Sequence, residues 1–137
     1  MRAYGRARRR SARASYILPP SETSARWARH LTAAYLNHGC GEPVPAGQVD
    51  DVTLVVSELV TNATRHGHGN CRLQLSVRHG RVIVEVHDHN PAPPRLCLPD
   101  ATAEGGRGIA MVRELSCRFS VLGGPGGGKT VQAVLVS

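Results

Sequence analysis

The stretch Asp51-Val52-Thr53-Leu54-Val55-Val56-Ser57-Glu58-Leu59-Val60-Thr61-Asn62-Ala63-Thr64-Arg65-His66-Gly67 decides how the rest of the chain is read. Val52, Val55, Val56, Leu59, Val60 and Ala63 recur at the helical period, so the segment predicts an amphipathic helix with an aliphatic stripe. Asp50 or Asp51 suits the start as a cap, and Gly67 stands where a helix stops. At about 100° per residue, Glu58 and Asn62 fall together on the flank of that stripe. A carboxylate and a carboxamide so placed reach a ligand at the edge of the core. In isolation, an E-x-x-x-N pair is an ordinary solvated helix flank. The segments around it give the pair its meaning.

Upstream, residues 1–14 are expected to be a disordered basic arm, and 15–137 a single domain. Arg2, Arg6, Arg8, Arg9, Arg10 and Arg13 supply six of the net +7, leaving the remainder near neutral. Such an arm has affinity for acidic surfaces, but its commoner role is a solubilising terminus. Aromatics make up only 4% of the chain, too few for base-stacking platforms, so direct nucleic-acid binding is disfavoured. Apolar residues make up 41%, and with so few aromatics the core has to be aliphatic. No run approaches a membrane span of about 20 apolar residues. The segment Ala14 to Pro20 is too short and too soon broken by proline for an export-signal core. Cys40, Cys71, Cys97 and Cys117 are scattered without ligand spacing, which fits reduced thiols in a cytoplasmic protein.

Tyr16–Pro19 is expected as a short strand. A helix follows from Ser21 or Ser24 to Asn37-His38-Gly39, burying Trp27, Leu31 and Ala34 and exposing Arg26, Arg29 and His30. Beyond the central helix, residues 71–77 and 81–87 alternate with period two around His79-Gly80, a hairpin signal. A proline-rich loop over roughly residues 89–106 comes next, long enough to be functional. Gly105-Gly106-Arg107-Gly108 then opens a helix with Ile109, Val112, Leu115 and Ser116 on one side. Strands at 118–122 and 130–136 close the chain. This order implies a two-layer α/β sandwich, helices packed on one face of a mixed, mostly antiparallel sheet.

Gly123-x-x-x-x-Gly128-Lys129-Thr130 matches the P-loop pattern formally. That loop needs a helix after it, whose N-terminal amides hold phosphate. Here Val131-Gln132-Ala133-Val134-Leu135-Val136 alternates as a strand, so the run reads as a glycine hairpin.

Four stretches taken in order carry a resemblance. Glu58-Leu59-Val60-Thr61-Asn62-Ala63 resembles the asparagine box of the GHKL (histidine kinase-like) ATPase superfamily, which includes gyrase and sensor histidine kinases. Val84-Glu85-Val86-His87-Asp88 resembles the strand entering the first glycine box. Gly106-Arg107-Gly108-Ile109-Ala110-Met111-Val112 resembles the second glycine box, and Gly127-Gly128-Lys129-Thr130-Val131 the closing G-x-T strand. The wording E-L-V-x-N-A-x-x-H-G points to the branch of small anti-sigma factor serine/threonine kinases.

The resemblance implies ATP and Mg²⁺ as ligands. Asn62 would hold Mg²⁺ against the triphosphate, and Glu58 would act as general base or as a water-mediated partner of the metal. Asp88 would accept the adenine amino proton, with Thr130 beside it and Asn90 in the lid. The amides of Gly106 and Gly108 would cradle phosphate, and Arg107 would reach the terminal phosphate. It also implies a sigma factor and a small antagonist protein as partners, and a homodimer as an assembly. The first glycine box departs from D-x-G-x-G, reading Asp88-His89-Asn90-Pro91-Ala92. Asn90 tolerates the backbone angles of the missing glycine better than most residues. The departure leaves a second reading open, a non-catalytic module that binds a protein partner.

Overall fold

The computed structural model describes residues 13–65, 69–89, 104–123 and 127–136, with the backbone alone over 104–107. Strand β1 (Arg13–Leu18) leads to helix α1 (Ser24–Ala34) and a wide π-helical turn over Tyr35–Gly39. Helix α2 (Ala46–Thr64) precedes the hairpin β2 (Cys71–Arg78) and β3 (Arg81–Asp88). Helix α3 (Glu104–Leu115) and strands β4 (Arg118–Gly123) and β5 (Lys129–Val136) complete the order. The strands form one sheet, β1-β2-β3-β5-β4, in which every pairing is antiparallel. The α/β sandwich is as expected, and the sheet proves wholly antiparallel.

The period-two pattern explains the layering. Val82, Val84 and Val86 of β3 are buried, as are Leu73, Leu75 and Val77 of β2 and Val131, Ala133 and Leu135 of β5. These residues share one face of the sheet, and α2 covers it with Val52, Val55, Val56, Leu59 and Val60. Ile109 and Val112 of α3 join the same core. Helix α1 packs against α2, through Ala28 and Thr32. Between β2 and β3, His79 (φ 54°) and Gly80 (φ 79°) both adopt positive φ, the geometry of a two-residue hairpin that twists with its strands.

One polar cluster fixes how α2 lies on the sheet. Gln48 Nε2 donates to the carbonyls of Gly80 (3.2 Å) and Leu135 (3.4 Å), and Glu42 Oε1 accepts from Gly80 N at 3.1 Å. The first turn of α2 is thus tied to the start of β3 and the end of β5. From that anchor α2 leads on to Asn62 and β3 leads on to Asp88. Asn62 stands about 21 Å along the helix. Asp88 stands about 26 Å along the strand.

Several local expectations are corrected. Helix α2 begins at Ala46, one turn before Asp50, because Pro45 (φ −60°, ψ 148°) is already extended and supplies the entry. The stop signal at Gly67 lies outside the described residues. On α1 the buried positions are Ser24, Ala28 and Thr32, whereas Trp27 is 60% exposed and Ala34 is exposed. Ser24 opens that helix from inside the core, where its hydroxyl donates to Pro19 O at 2.6 Å and ties the helix to the end of β1. Arg13 and Ala14, assigned to the arm, pair with Ser76 and Leu75 in the sheet; residues 1–12 lie outside the described residues. Glycines 105, 106 and 108 fall inside α3, which starts at Glu104. Among the described residues no helix is long and apolar enough to cross a membrane.

Burial raises three acidic groups, Tyr16, Cys71 and Tyr35, the last two strongly. It pushes the Cys71 thiol up to about 11, helped by the charge of Asp88, and the Tyr35 phenol up to about 12, helped by Cys40, Tyr16 and Glu42. Both stay protonated in the folded chain at pH values where the unfolded chain has lost those protons. Stability is therefore unaffected by these groups below about pH 9 and falls as pH rises through about 11 for Cys71 and about 12 for Tyr35. Urea unfolding across pH 8 to 12 is expected to show this alkaline loss, with Tyr35→Phe flattening the upper part. An alkaline limb unchanged in Tyr35→Phe would contradict the assignment.

Candidate functional site

Helix α2 carries Glu58 and Asn62 one turn apart, both half-buried on the flank of its apolar stripe. Helix α3 packs against α2, and Gly108 lies against Glu58. A Cβ at Gly108 would overlap Glu58 Oε1 and come within 2.8 Å of its Cδ. Only glycine admits the carboxylate there. Gly108 is the fifth residue of α3, so its amide belongs to the helical ladder. What Gly108 contributes to this packing is the absence of a side chain. The amide of Gly106 lies in the first turn, among those that a helix leaves without intrahelical partners. The Arg107 side chain and Asn90 lie outside the described residues, as does the connection 90–103 between β3 and α3.

At the other wall, β3 ends in Asp88, which is 3% exposed. It shares its phase with Val82, Val84 and Val86 and so points toward the helix layer. Its cross-strand partner in β5 is Lys129, 4% exposed. Lys129 Nζ lies 3.1 Å from both Oδ1 and Oδ2 of Asp88, a buried ion pair in symmetric contact. Gly128 makes this close pairing feasible, since a Cβ there would stand 2.6 Å from the Asp88 carbonyl oxygen.

Thr130 does not stand beside Asp88. It pairs with His87 on the opposite face of the sheet, where the Thr130 hydroxyl and His87 Nδ1 are 3.0 Å apart. Among the described residues Lys129 adjoins the carboxylate, a role its motif did not suggest. Its signal was present: Lys129 is in phase with Val131, Ala133 and Leu135, as Asp88 is with Val82, Val84 and Val86, whereas Thr130 is in phase with Gln132. Gln132 Nε2 donates to Glu85 Oε2 at 3.0 Å on that outer face.

A hollow of about 520 Å³ lies between the entry to α1 and the end of α2, lined by Pro20, Ser21, Glu22, Ala25, Thr61, Thr64 and Arg65. None of the described candidate residues lines it. Among the described residues no cluster of three or more His, Cys, Asp or Glu side chains has metal-binding geometry.

The two close approaches respond differently to an added methyl group. In Gly108→Ala the obstacle is the end of a flexible Glu58 side chain, which swings away, so stability should change by less than about 1 kcal/mol. In Gly128→Ala the obstacle is the Asp88 backbone carbonyl, with the His87 ring at 3.3 Å, so the loss should be about 1–3 kcal/mol. Chemical denaturation of the two variants checks the order, and equal losses would contradict the described packing.

Comparison with known proteins agrees with this architecture. Residues 18–135 match the family model described as "Histidine kinase-like ATPase domain". Among solved structures, the histidine kinase domain of the blue-light activated histidine kinase from Erythrobacter litoralis EL346 is similar, with a TM-score of 0.52 and 26% identity. The similarity covers 82% of this chain and 60% of that one, so the chain spans under two-thirds of that domain's length. No curated protein matches. With a family model covering most of its length and the two-layer architecture in place, the chain belongs to the histidine kinase-like ATPase domain family.

Proposed function

We propose that the chain is an ATP-binding regulatory protein, a serine/threonine kinase that phosphorylates a small antagonist protein and sequesters a sigma factor. The observation that carries this reading is the seating of the Glu58 carboxylate against Gly108, with Asn62 one turn further along α2. A carboxylate held at the meeting of two helices is positioned by packing rather than by solvent, as a general base has to be.

The donor set suits an ion brought in by the nucleotide. Asn62 offers one neutral oxygen, and magnesium takes one or two protein ligands together with phosphate oxygens and water. Bound there, Mg²⁺ would supply charge neutralisation to the triphosphate. Asn62 orients the phosphate end, and the α3 N-terminus at Gly106 adds amide dipoles. Glu58 accepts the proton of the attacking serine or threonine hydroxyl as its oxygen bonds to the γ-phosphorus and the bond to the departing ADP breaks. Arg107 is assigned to the terminal phosphate on the resemblance. The new phosphate adds about −2 charge to the antagonist, enough to weaken a matched interface and exchange partners.

A second reading has an observation of its own. The buried Lys129–Asp88 pair alters the carboxylate meant for adenine, which favours a module that holds a protein partner with weak nucleotide binding.

Single-turnover transfer of labelled phosphate from ATP to a candidate antagonist separates the two. The kinase predicts transfer that falls about 100-fold or more in Glu58→Ala and is lost with Asn62→Ala or on chelating the metal. Normal partner binding without transfer would replace it with the module.

A further inference from the structure

We infer that the sheet face turned away from the helices docks an acidic protein surface with an apolar centre. The inference stands apart from the nucleotide reading, whose residues Glu58, Asn62 and Asp88 lie on the other side of the sheet.

Alternation and register fix what this face carries. Arg13, Ser76, Ile83, Val134 and Arg118 form one row across all five strands, with an arginine at each edge about 19 Å apart. The next row sets Arg78 directly opposite Arg81, with Val136 beyond. Four exposed arginines thus surround Ile83, Val134 and Val136. Arg72, also exposed, adds a fifth nearer the other end of the sheet, opposite His87. Among the described residues Glu85 is the one carboxylate on this face, and it accepts from Gln132.

The outward face of an antiparallel sheet is ordinarily polar, but with both signs of charge interspersed. Here five cations meet one anion, and among the described residues none of the five forms an ion pair. Like charges directly opposite each other destabilise a sheet, so the Arg78–Arg81 pair costs the isolated chain stability. Carboxylates on a partner remove that cost. The same face holds Ile17, Leu122 and Val136, three of the five large apolar side chains exposed among the described residues. Arginine around apolar surface is the composition of a protein interface.

Other occupants fit less well. A second copy set face to face would bring arginine against arginine. A duplex backbone would satisfy the arginines and leave the apolar side chains bare. No described Trp, Tyr or Phe stands on this face to stack a base or to anchor in a lipid interface.

Amide NMR of the full chain at about 50 mM salt tests this with a peptide of about 20 residues, glutamate with leucine at every fourth position. Shifts should centre on Arg78, Arg81, Ile83 and Val134. Arg78→Glu with Arg81→Glu should weaken binding about 10-fold or more, and the milder Arg78→Gln with Arg81→Gln about 3-fold. Arg26→Glu with Arg29→Glu, the same change of charge at exposed positions of α1, should weaken it by less than about 2-fold. Equal losses in the two glutamate pairs would mean attraction by net charge alone and overturn the inference. If the first glutamate pair does not fold, the glutamine pair and the shift map decide. Shifts confined to other surfaces, or absence of binding, also overturn it. So does binding of a DNA duplex or of phosphatidylserine vesicles through these strands in preference to the peptide.

Discussion

The hold that Gln48 has on two strands at once governs the arrangement of everything else. Its amide reaches Gly80 at the start of β3 and Leu135 at the end of β5, and so fixes the direction and register of α2 across the sheet. Once the helix lies that way, its aliphatic stripe fills the space above Val82, Val84 and Val86. Its polar flank carries Glu58 and Asn62, and β3 ends at the buried Asp88. The core is built from valine and leucine, β-branched and rigid in the main, and gives a firm floor to whatever binds at its edge.

Two glycines turn that arrangement into a site, each by what it lacks. Gly108 lets Glu58 lie against α3, and Gly128 lets β5 close on β3 so that Lys129 meets Asp88. Neither has a positive φ, so the reason for glycine at both positions is space rather than backbone freedom. The ion pair that results is buried on both sides. Such a pair adds little net stability, because desolvation offsets attraction, but breaking it costs about 3–5 kcal/mol. It behaves as a fixed part of the floor of the site.

Much of this was legible in the chain. The stripe of α2, the alternation of β2 and β3 and the His79-Gly80 turn each follow from local rules, and the structure follows them. The errors arose where a residue's meaning depends on a distant partner. Trp27 looks like a buried anchor, but α1 packs on α2 through Ala28 and Thr32, because small residues allow the helices to approach. Asp50 looks like a cap, yet Pro45 had already set the entry angle. Thr130 was paired with Asp88 by motif, whereas the antiparallel register pairs it with His87, and a one-residue shift exchanges the faces of a strand. Of the candidate site, the Glu58–Asn62 flank was legible from helical spacing, and Gly108 only from the resemblance of its stretch to the second glycine box. The role of Lys129 required the register.

The central claim is that α2 brings its Glu58–Asn62 flank and the end of β3 around one bound nucleotide. Amide NMR of the full chain during titration with ATP and paramagnetic Mn²⁺ in place of Mg²⁺ tests it directly. The account predicts that the amides of Glu58, Asn62 and Gly108 broaden first, while Gln48 and Gly80, about 20 Å away by helix rise, keep their intensity. Broadening centred on the hollow between Ser21 and Arg65, or at the Gln48 end of the helix, would contradict it.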